Sequence, residues 1–400
     1  MKICEVCNSK KIKKVLDLGQ HPLCDDLIKI SSKKINKLYP IKIFFCLNCY
    51  TAHNYKKINK TILFPKNYHY RARLTQDVLN GMKQLVLHCK KKFGSLKNKT
   101  ILDIGCNDGS LLNFFKKEGC VTIGVEPTNA YKDIDLNKHV IYNNYLDQNT
   151  VSQIKKNHFN IDIITFTNVF AHINNLKELL NNLKTLLKFN TSVVIENHYL
   201  GSVLNKNQFD TFYHEHPRTY SAKSFFFIAR QLNLFVNDIS FPSRYGGNIR
   251  VFLNKSEVKK NYNIFQQEKC FFKKFKEMRL NIINWKKNKK ELIINLYKKY
   301  GIMIGKAFPG RASILIRMLN INEKFISAIF EKNDSPKIGH YVPGTKIPIY
   351  SDNILKKNKN NFKIIINFAW HIKKEIKKYL NKNNIKARII NIIEKNDFIK

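Results

Sequence analysis

The central part of the chain alternates between short apolar runs and segments whose apolar residues recur at helical spacing. We predict strands at 101–104, 121–125, 161–166 and 192–196, and helices at 75–92, 110–117 and 176–187. Strands that alternate with helices in this way form a parallel sheet covered by helices. The pattern therefore predicts an α/β fold for residues 71–254.

The pattern changes on either side of this region. Residues 255–299 have apolar positions at helical spacing and no turn residues, which predicts a helical connector. Residues 300–400 return to short apolar runs and predict a second, smaller α/β domain. Residues 1–70 combine turns with short strand-like runs, so we expect a small N-terminal domain there.

Composition narrows the class of protein. Hydrophobic residues make up 44% of the 400 residues, which excludes a disordered or collagen-like chain. The formal charge of +42 would ordinarily indicate a nucleic acid or an anionic membrane as partner. However, 61 of the 71 basic residues are lysines spread along the whole chain, whereas phosphate recognition favours arginine. We therefore interpret the charge as a solvated surface and expect no nucleic-acid partner.

No stretch of the sequence is predicted to enter a membrane. The longest apolar runs, such as 225–228, are far shorter than the roughly 20 residues that span a bilayer. The chain starts with a polar segment that reaches a cysteine motif at Cys4, and we see no hydrophobic leader. We expect a cytoplasmic protein with reduced thiols.

Four of the nine cysteines form two CxxC pairs, Cys4/Cys7 and Cys46/Cys49. Two such pairs complete a tetrahedral Cys4 zinc site. The 38 residues between the pairs are more than a compact zinc ribbon uses, so we expect a small domain threaded between them. Neither pair opens a helix after a strand, which argues against a redox motif. Four protein ligands leave no open position, and the zinc is therefore expected to be structural.

A strand–turn–helix segment carries the candidate cofactor site. The turn after the strand at 101–104 contains Gly105 and Gly109, and the next strand ends at Glu126. Glycines let the backbone approach a ligand, and an acidic residue in this place accepts hydrogen bonds from ribose hydroxyls. The GxxxG spacing favours S-adenosylmethionine over a dinucleotide, since no pyrophosphate needs to be held. The candidate cofactor-binding residues of this motif are Asp103, Gly105, Asn107, Asp108, Gly109 and Glu126.

Two later motifs place polar side chains after strands. Asn168 and His172 follow the strand at 161–166, so we expect them at the carboxyl edge of the sheet, and Asn168 is a further candidate for cofactor binding. The segment 213–216 reads Tyr-His-Glu-His, a poor zinc cage that suits acid–base chemistry. The alternatives are a hydrogen-bonded surface loop for this segment and a core histidine for His172.

The motifs together resemble one family, the C-methyltransferases that act on nucleotide-linked keto-deoxysugars. The matching segments run through nearly the whole chain and comprise both CxxC pairs, 16–23, 103–109, 168–172, 209–216, 246–251, 341–345 and 368–370. The resemblance implies a Cys4 zinc domain at 1–70 and a class I S-adenosylmethionine-dependent methyltransferase domain of Rossmann-like fold at 71–254. After the connector at 255–299, it implies a second Rossmann-like domain at 300–400 that binds the nucleotide sugar.

The resemblance also implies a mechanism. In that family a base removes the proton beside a ketone, and the resulting enolate attacks the methyl group of S-adenosylmethionine. At the matching positions His216 is the base, and Tyr213, Glu215 and His172 support it and hold the sugar. An α-keto proton is acidic enough for an imidazole base once a donor stabilises the enolate oxygen.

Three more residues receive substrate roles from the resemblance. Tyr68 and Tyr70 lie in an aromatic and basic segment and would close over the sugar, although a contact between domains would explain them equally well. Arg311 belongs to the segment 310–313, whose backbone amides would open a helix toward the diphosphate. The partner is thus a nucleotide-linked sugar, and no membrane is expected.

The sequence departs from the family at three places, and three alternatives follow. Residues 217–221 read Pro-Arg-Thr-Tyr-Ser where the family has an aromatic-rich run, and 309–311 differ from its usual turn of small residues. Tyr245 stands where a histidine is expected before the glycine pair. A different sugar, or a sugar oxygen, is therefore an alternative acceptor. An RNA base is a second alternative, motivated by the zinc motif and the charge. A zinc-organised adaptor without catalysis is the third, and the intact glycine turn speaks against it.

Overall fold

The computed structural model describes residues 1–157, 160–258, 263–359 and 361–398. The chain forms two compact units. Unit 1 comprises Met1–Val15, Ile43–Lys206 and Glu215–Phe272, and unit 2 comprises Leu16–Lys42, Asn207–His214 and Lys273–Lys400. Both units contain strands and helices around parallel sheets, so the predicted α/β fold is confirmed.

The regular elements are numbered along the chain. The strands are β1 (Ile12–His21), β2 (Ile28–Lys29), β3 (Tyr39–Cys46), β4 (Ala52–Asn54), β5 (Thr100–Ile104), β6 (Val121–Val125), β7 (Val140–Tyr142), β8 (Ile163–Thr167), β9 (Ser192–His198), β10 (Arg218–Thr219), β11 (Phe235–Ser240), β12 (Asn248–Asn254), β13 (Met303–Lys306), β14 (Ile326–Glu331), β15 (His340–Tyr341), β16 (Ile349–Ser351), β17 (Ile364–Asn367) and β18 (Arg388–Asn391). The α-helices are α1 (Lys60–Leu63), α2 (Gln76–Phe93), α3 (Ser110–Lys117), α4 (Gln148–Asn157), α5 (Leu176–Leu186), α6 (Leu200–Asn205), α7 (Ala222–Gln231), α8 (Ile264–Glu268), α9 (Phe271–Tyr300), α10 (Ala312–Met318), α11 (Asp352–Lys357) and α12 (Lys373–Lys382). Short 3-10 helices lie at Ala72–Leu74, Asn129–Asp133, Phe170–His172, Phe209–Thr211, Arg244–Gly246, Trp370–Ile372 and Lys395–Phe398.

Unit 1 is organised by a seven-stranded sheet of order β11-β12-β9-β8-β5-β6-β7. The strands from β9 to β7 in this order pair in parallel, while β11 and β12 add an antiparallel edge. The chain proceeds from β5 to one side through β6 and β7, and to the other side through β8 and β9. Ligands of such sheets bind at the carboxyl ends of the strands beside this point of reversal. The loops after β5, β6 and β8 carry six of the seven predicted cofactor residues, and the loop after β8 also carries His172.

Burial explains why these strands are nearly continuous apolar runs. Ile101, Ile163 and Val194 are fully buried, and they pack together with Phe115 of α3 and Phe252 of β12. Strands with helices on both faces need apolar residues at successive positions rather than at alternate ones.

A smaller sheet has the order β1-β3-β4-β10, and its β3 ends at Cys46. Its β4 and β10 pair antiparallel, with His53 opposite Arg218 and Ala52 opposite Thr219. Since β10 begins two residues after His216, this sheet holds one end of the predicted catalytic segment.

Unit 2 contains a five-stranded parallel sheet of order β16-β14-β13-β17-β18. Its chain order also reverses beside the first strand, between β13 and β17. Ile304, Phe330, Ile365 and Leu380 form its core. Among the described residues, no helix combines the length and the apolar character that crossing a bilayer requires.

Candidate active site and zinc centre

The cysteines of the two CxxC pairs lie together in unit 1, and their four Sγ atoms are within 4.8 Å of one another. The Sγ atoms of Cys4 and Cys49 are 3.5 Å apart, and those of Cys7 and Cys46 are 3.6 Å apart. Sulfurs at about 2.3 Å from a tetrahedral zinc are about 3.8 Å from one another, so these residues fit the ion.

Neighbouring side chains contact two of the sulfurs. Nε2 of the buried His53 lies 3.2 Å from Sγ of Cys4, and Oγ1 of Thr51 lies 3.1 Å from Sγ of Cys49. Hydrogen bonds to ligand atoms orient the ligands of a metal site. The cysteine cluster therefore has both the ligands and the surroundings of a structural zinc centre.

The turn between β5 and α3 has a backbone that glycine makes possible. Gly105 and Gly109 adopt φ angles of 72° and 73°, in the left-handed region that side chains disfavour. A Cβ at Gly105 would lie 2.6 Å from Cγ2 of Val169, so a larger residue does not fit without a shift. The turn is thus closely packed and suited to glycine at position 105.

Glu126 follows β6 and is almost fully buried. Its Oε2 accepts a hydrogen bond from the backbone N–H of Asn107 (2.9 Å), and its Oε1 accepts two from Thr128, from the N–H (2.8 Å) and from the hydroxyl (2.6 Å). A carboxylate offers about four acceptor positions, so one remains for a ribose hydroxyl. Burial raises the pKa of Glu126, and the hydrogen bonds from Thr128 and Asn107 oppose that increase. The turn and this carboxylate fit an adenosyl cofactor.

Two other predicted cofactor residues are occupied by contacts with the chain segment before α2. Oδ1 of Asn107 accepts a hydrogen bond from the backbone N–H of Ala72 (3.0 Å), and Oδ2 of Asp108 accepts one from the N–H of Arg73 (2.8 Å). Nδ2 of Asn107 donates to the carbonyl oxygen of Tyr70 (3.1 Å), whose side chain is exposed. These side chains hold the segment at 70–73 against the glycine turn, and their contact with a cofactor stays a prediction.

Asp103 and Asn168 occupy different environments. Asp103 is buried in β5, where it accepts a hydrogen bond from the Thr165 hydroxyl (2.7 Å), and burial raises its pKa to about 7. Asn168 lies just after β8 with a φ of 55°, and its Oδ1 accepts a hydrogen bond from Nδ2 of Asn248 (3.2 Å). For both residues, too, cofactor binding stays a prediction.

The predicted catalytic residues of unit 1 form one cluster after β8. Nδ1 of His172 donates a hydrogen bond to the carbonyl oxygen of Glu215 (2.8 Å), and the ring centroids of His172 and His216 are 4.8 Å apart. The Tyr68 hydroxyl donates to Oε2 of Glu215 (3.2 Å). Burial lowers the pKa of His172 to about 4, so its ring is neutral at pH 7, with the hydrogen on Nδ1 and the lone pair on Nε2.

A third imidazole belongs to this cluster, and the sequence prediction omits it. His198 is the last residue of β9, and its ring centroid lies 5.2 Å from that of His216. The available signal was its position two residues after the strand predicted at 192–196, at the sheet edge where Asn168 and His172 were expected.

Two predicted residues, Tyr213 and Arg311, belong to unit 2. Arg311 is buried: its Nη1 donates to the hydroxyl of Thr211 (3.0 Å), and its Nε lies 3.3 Å from Oδ2 of Asp210. Its guanidinium lies 5.7 Å from the ring of Trp370. Nη2 has no hydrogen-bond partner among the described residues.

Family models match three successive parts of the chain. Residues 4–64 match a zinc binding domain, residues 73–237 a methyltransferase domain, and residues 243–392 a C-methyltransferase C-terminal domain. The chain is also similar to the C-methyltransferase NovU of Streptomyces niveus, with 23% identity over 385 residues that cover 93% of this chain and 90% of NovU.

Solved structures are similar to less than half of the chain. The magnesium protoporphyrin IX methyltransferase of Synechocystis PCC 6803, solved with bound SAH, is 13% identical with a TM-score of 0.36, and the match covers 46% of this chain and 85% of that one. The PH0226 protein of Pyrococcus horikoshii OT3 is 11% identical with a TM-score of 0.35, and the match covers 49% of this chain and 98% of that one.

The family matches and the cysteine geometry confirm the predicted resemblance and both cofactors, S-adenosylmethionine and a structural zinc ion. The order of the three matched domains is the order that the motifs predict. The chain therefore belongs to the S-adenosylmethionine-dependent C-methyltransferases that combine a zinc-binding domain, a methyltransferase domain and a C-methyltransferase C-terminal domain.

Proposed function

We propose that the chain methylates a carbon beside the ketone of a nucleotide-linked deoxysugar. The observation that carries this proposal is the cluster of His172, Glu215 and His216, with two imidazole centroids 4.8 Å apart. Methylation at carbon requires a base for a carbon-bound proton, and imidazole is the side chain suited to that task near pH 7. The imidazole cluster supplies the base that formation of an enolate requires, which agrees with membership in a C-methyltransferase family.

Each residue of the cluster has a role in the proposal. His216 takes the proton, and the electron pair of the broken C–H bond enters the enolate. His172 stays neutral, because burial lowers its pKa, and its Nδ1–H holds the Glu215 backbone in place. Tyr68 and Glu215, joined by their hydrogen bond, hold sugar hydroxyls. When bound, S-adenosylmethionine supplies the methyl group that the substrate carbon receives.

The nucleotide portion of the substrate is assigned to unit 2. Arg311 supports this assignment because it is buried, planar and equipped with an Nη2 that no described residue engages. Guanidinium groups bind phosphate oxygens through paired N–H donors. Asp210 and Trp370 hold the guanidinium from two sides and would keep it oriented for a diphosphate.

The test uses the zinc-loaded protein, S-adenosylmethionine and a panel of nucleotide-linked 4-keto-6-deoxysugars in deuterated water. We expect a methylated sugar by mass spectrometry, and deuterium uptake at the carbon beside the ketone. His216→Ala should lower both rates by about 10²–10⁴-fold, the usual contribution of a general base. His139→Gln is the matched control, since His139 is buried in unit 1 but bonds Thr122 and Asn113.

Two results would contradict the proposal. One is a wild-type protein that binds S-adenosylmethionine but neither methylates nor exchanges any member of the panel; sugar oxygens and RNA bases would then be tested as acceptors. The other is equal exchange by the wild type and His216→Ala, which would remove His216 from the role of base.

A further inference from the structure

Arg218 lies where three segments meet: the loop after His172, the segment after His216 and the zinc-binding segment around Cys4. It is the first residue of β10, two positions after His216, and it is fully buried. It belongs to the segment 217–221, which departs from the family pattern, and the proposed chemistry gives it no role. The partners of its guanidinium belong to unit 1.

The guanidinium donates to groups from separate parts of the chain. Nη2 donates to the carbonyl oxygen of Ile173, and Nη1 donates to the carbonyl oxygen of Asn174 (3.3 Å). These are the two residues that follow His172. Nε donates to the hydroxyl of Tyr220 (2.9 Å), so all three nitrogens are engaged.

Arg218 also contacts the zinc centre. Nη1 forms an ion pair with Glu5, the residue next to the zinc ligand Cys4. In the ladder of β4 and β10, Arg218 lies opposite His53, whose ring contacts Sγ of Cys4. The N–H of Asn54 donates to the carbonyl oxygen of Pro217 (2.9 Å), the residue between His216 and Arg218.

These contacts constrain the imidazole pair from both sides. Arg218 binds carbonyl oxygens of the loop that carries His172. It is also joined to His216 through the backbone, with only Pro217 between them. A planar guanidinium with five fixed N–H directions is suited to join several acceptors in one geometry, which an ammonium group does less well.

We propose that Arg218 is a positioning residue that sets the placement of His172 and His216 and links it to the zinc-binding segment. Its catalytic consequence rests on the proposed function, because it assumes that the imidazole pair performs the chemistry. The zinc ion thereby gains a role in aligning the catalytic loop as well as in folding the N-terminal segment.

The test compares Arg218→Lys, Arg218→Met and Lys289→Met in the full-length, zinc-loaded protein. Lys289 is the matched control, because it is buried in unit 2 and its ammonium bonds Asp397 and Asn391 (2.9 Å each), neither of which belongs to the cluster. Zinc content, thermal unfolding and S-adenosylmethionine affinity report on folding. Steady-state kinetics and the ¹⁵N spectra of labelled histidines report on alignment.

We expect Arg218→Lys to keep its zinc and to bind S-adenosylmethionine within about twofold of the wild type. Its kcat should fall by about 10²-fold at nearly constant KM, the size expected when reacting groups are displaced by about 1 Å. The imidazole signals of His172 and His216 should shift in both Arg218 variants and stay unchanged in Lys289→Met. If Arg218→Met does not fold, the kcat and the imidazole signals of Arg218→Lys alone test the proposal.

Three outcomes would overturn the proposal. These are a wild-type kcat in Arg218→Lys, a loss of kcat that merely follows a loss of zinc or of folded protein, and unchanged imidazole signals. If the wild type methylates no nucleotide sugar, the proposed function fails on its own. The histidine spectra then still decide whether Arg218 places the two rings.

Discussion

The two parallel sheets place a carboxylate in the same position and surround it differently. In unit 1, Glu126 follows the second strand and accepts a hydrogen bond from Asn107 in the turn after the first strand. In unit 2, Glu331 ends β14 and accepts a hydrogen bond (2.5 Å) from the backbone N–H of Phe308, in the turn after β13. Both units therefore have a hydrogen bond between the carboxylate at the end of the second strand and the turn after the first strand.

The turns themselves differ. Unit 1 has Gly105 and Gly109 at positive φ, whereas the turn of unit 2 has Ala307 at φ 59° and a buried Phe308. At the end of β13 lies Lys306, whose ammonium is buried against the carboxylate of Asp352 (2.8 and 2.9 Å). The carboxylate therefore belongs to the topology that the two sheets share, whereas the glycines at positive φ distinguish the turn for which cofactor binding is predicted. In unit 2, the buried ion pair of Lys306 with Asp352 and the buried side chain of Phe308 lie at the end of β13 instead.

The largest effect should come from breaking the ion pair that distinguishes unit 2. Lys306→Met leaves Asp352 buried without its cation, and should lower the free energy of unfolding by about 3–5 kcal/mol. Denaturant unfolding measures this, with the exposed Lys356→Met as control, for which a change below about 0.5 kcal/mol is expected. S-adenosylmethionine affinity should not change, and a loss of affinity in the folded variant would undo the assignment of the cofactor to unit 1 alone.

The glycine turn provides the next largest effect. Gly105→Ala adds a Cβ that would lie 2.6 Å from Val169, at a φ of 72°, so the turn must shift. We expect the Kd for S-adenosylmethionine, measured by calorimetry, to rise by about 10²-fold, which corresponds to a loss of about 2.8 kcal/mol of binding free energy. Ala307→Gly is the reciprocal change in unit 2 and should leave that Kd unaltered. Equal effects of the two substitutions would erase the difference between the turns.

The paired carboxylates give the smallest effect and the sharpest comparison. Glu126→Gln keeps the shape of the side chain but removes its charge and one acceptor oxygen, and should weaken S-adenosylmethionine binding by about tenfold. Glu331→Gln should not alter this affinity, because its partner Phe308 lies in the turn of unit 2. Calorimetric titration of both variants tests the pair, and weaker binding by Glu331→Gln would count against the comparison.

Features that depend on local spacing could be predicted from the sequence. The zinc cysteines and the glycine turn are residue types at fixed separations, and the helix predicted at 110–117 is observed at Ser110–Lys117. The strand predicted at 161–166 is observed at Ile163–Thr167, because apolar runs locate a strand better than its ends.

Features that depend on distant segments could not be predicted in this way. His198 joins the imidazole cluster only because the end of β9 and residue 216 meet in space. The partners of Arg218 come from residues 5, 173 and 174 as well as from Tyr220, and no spacing relates them. A single histidine or arginine has no pattern of its own, so its role emerges only after the sheet is assembled.

The long separation of the two CxxC pairs has a consequence for folding kinetics. Of the 38 residues between Cys7 and Cys46, Leu16–Lys42 belong to unit 2. The metal therefore cross-links a long loop, and closing such a loop costs about 3 kcal/mol of chain entropy in the unfolded ensemble. If zinc binds before the sheets form, the loop is already closed and the remaining conformational search during folding is shorter. If zinc binds after the sheets form, its main effect is a lower rate of unfolding.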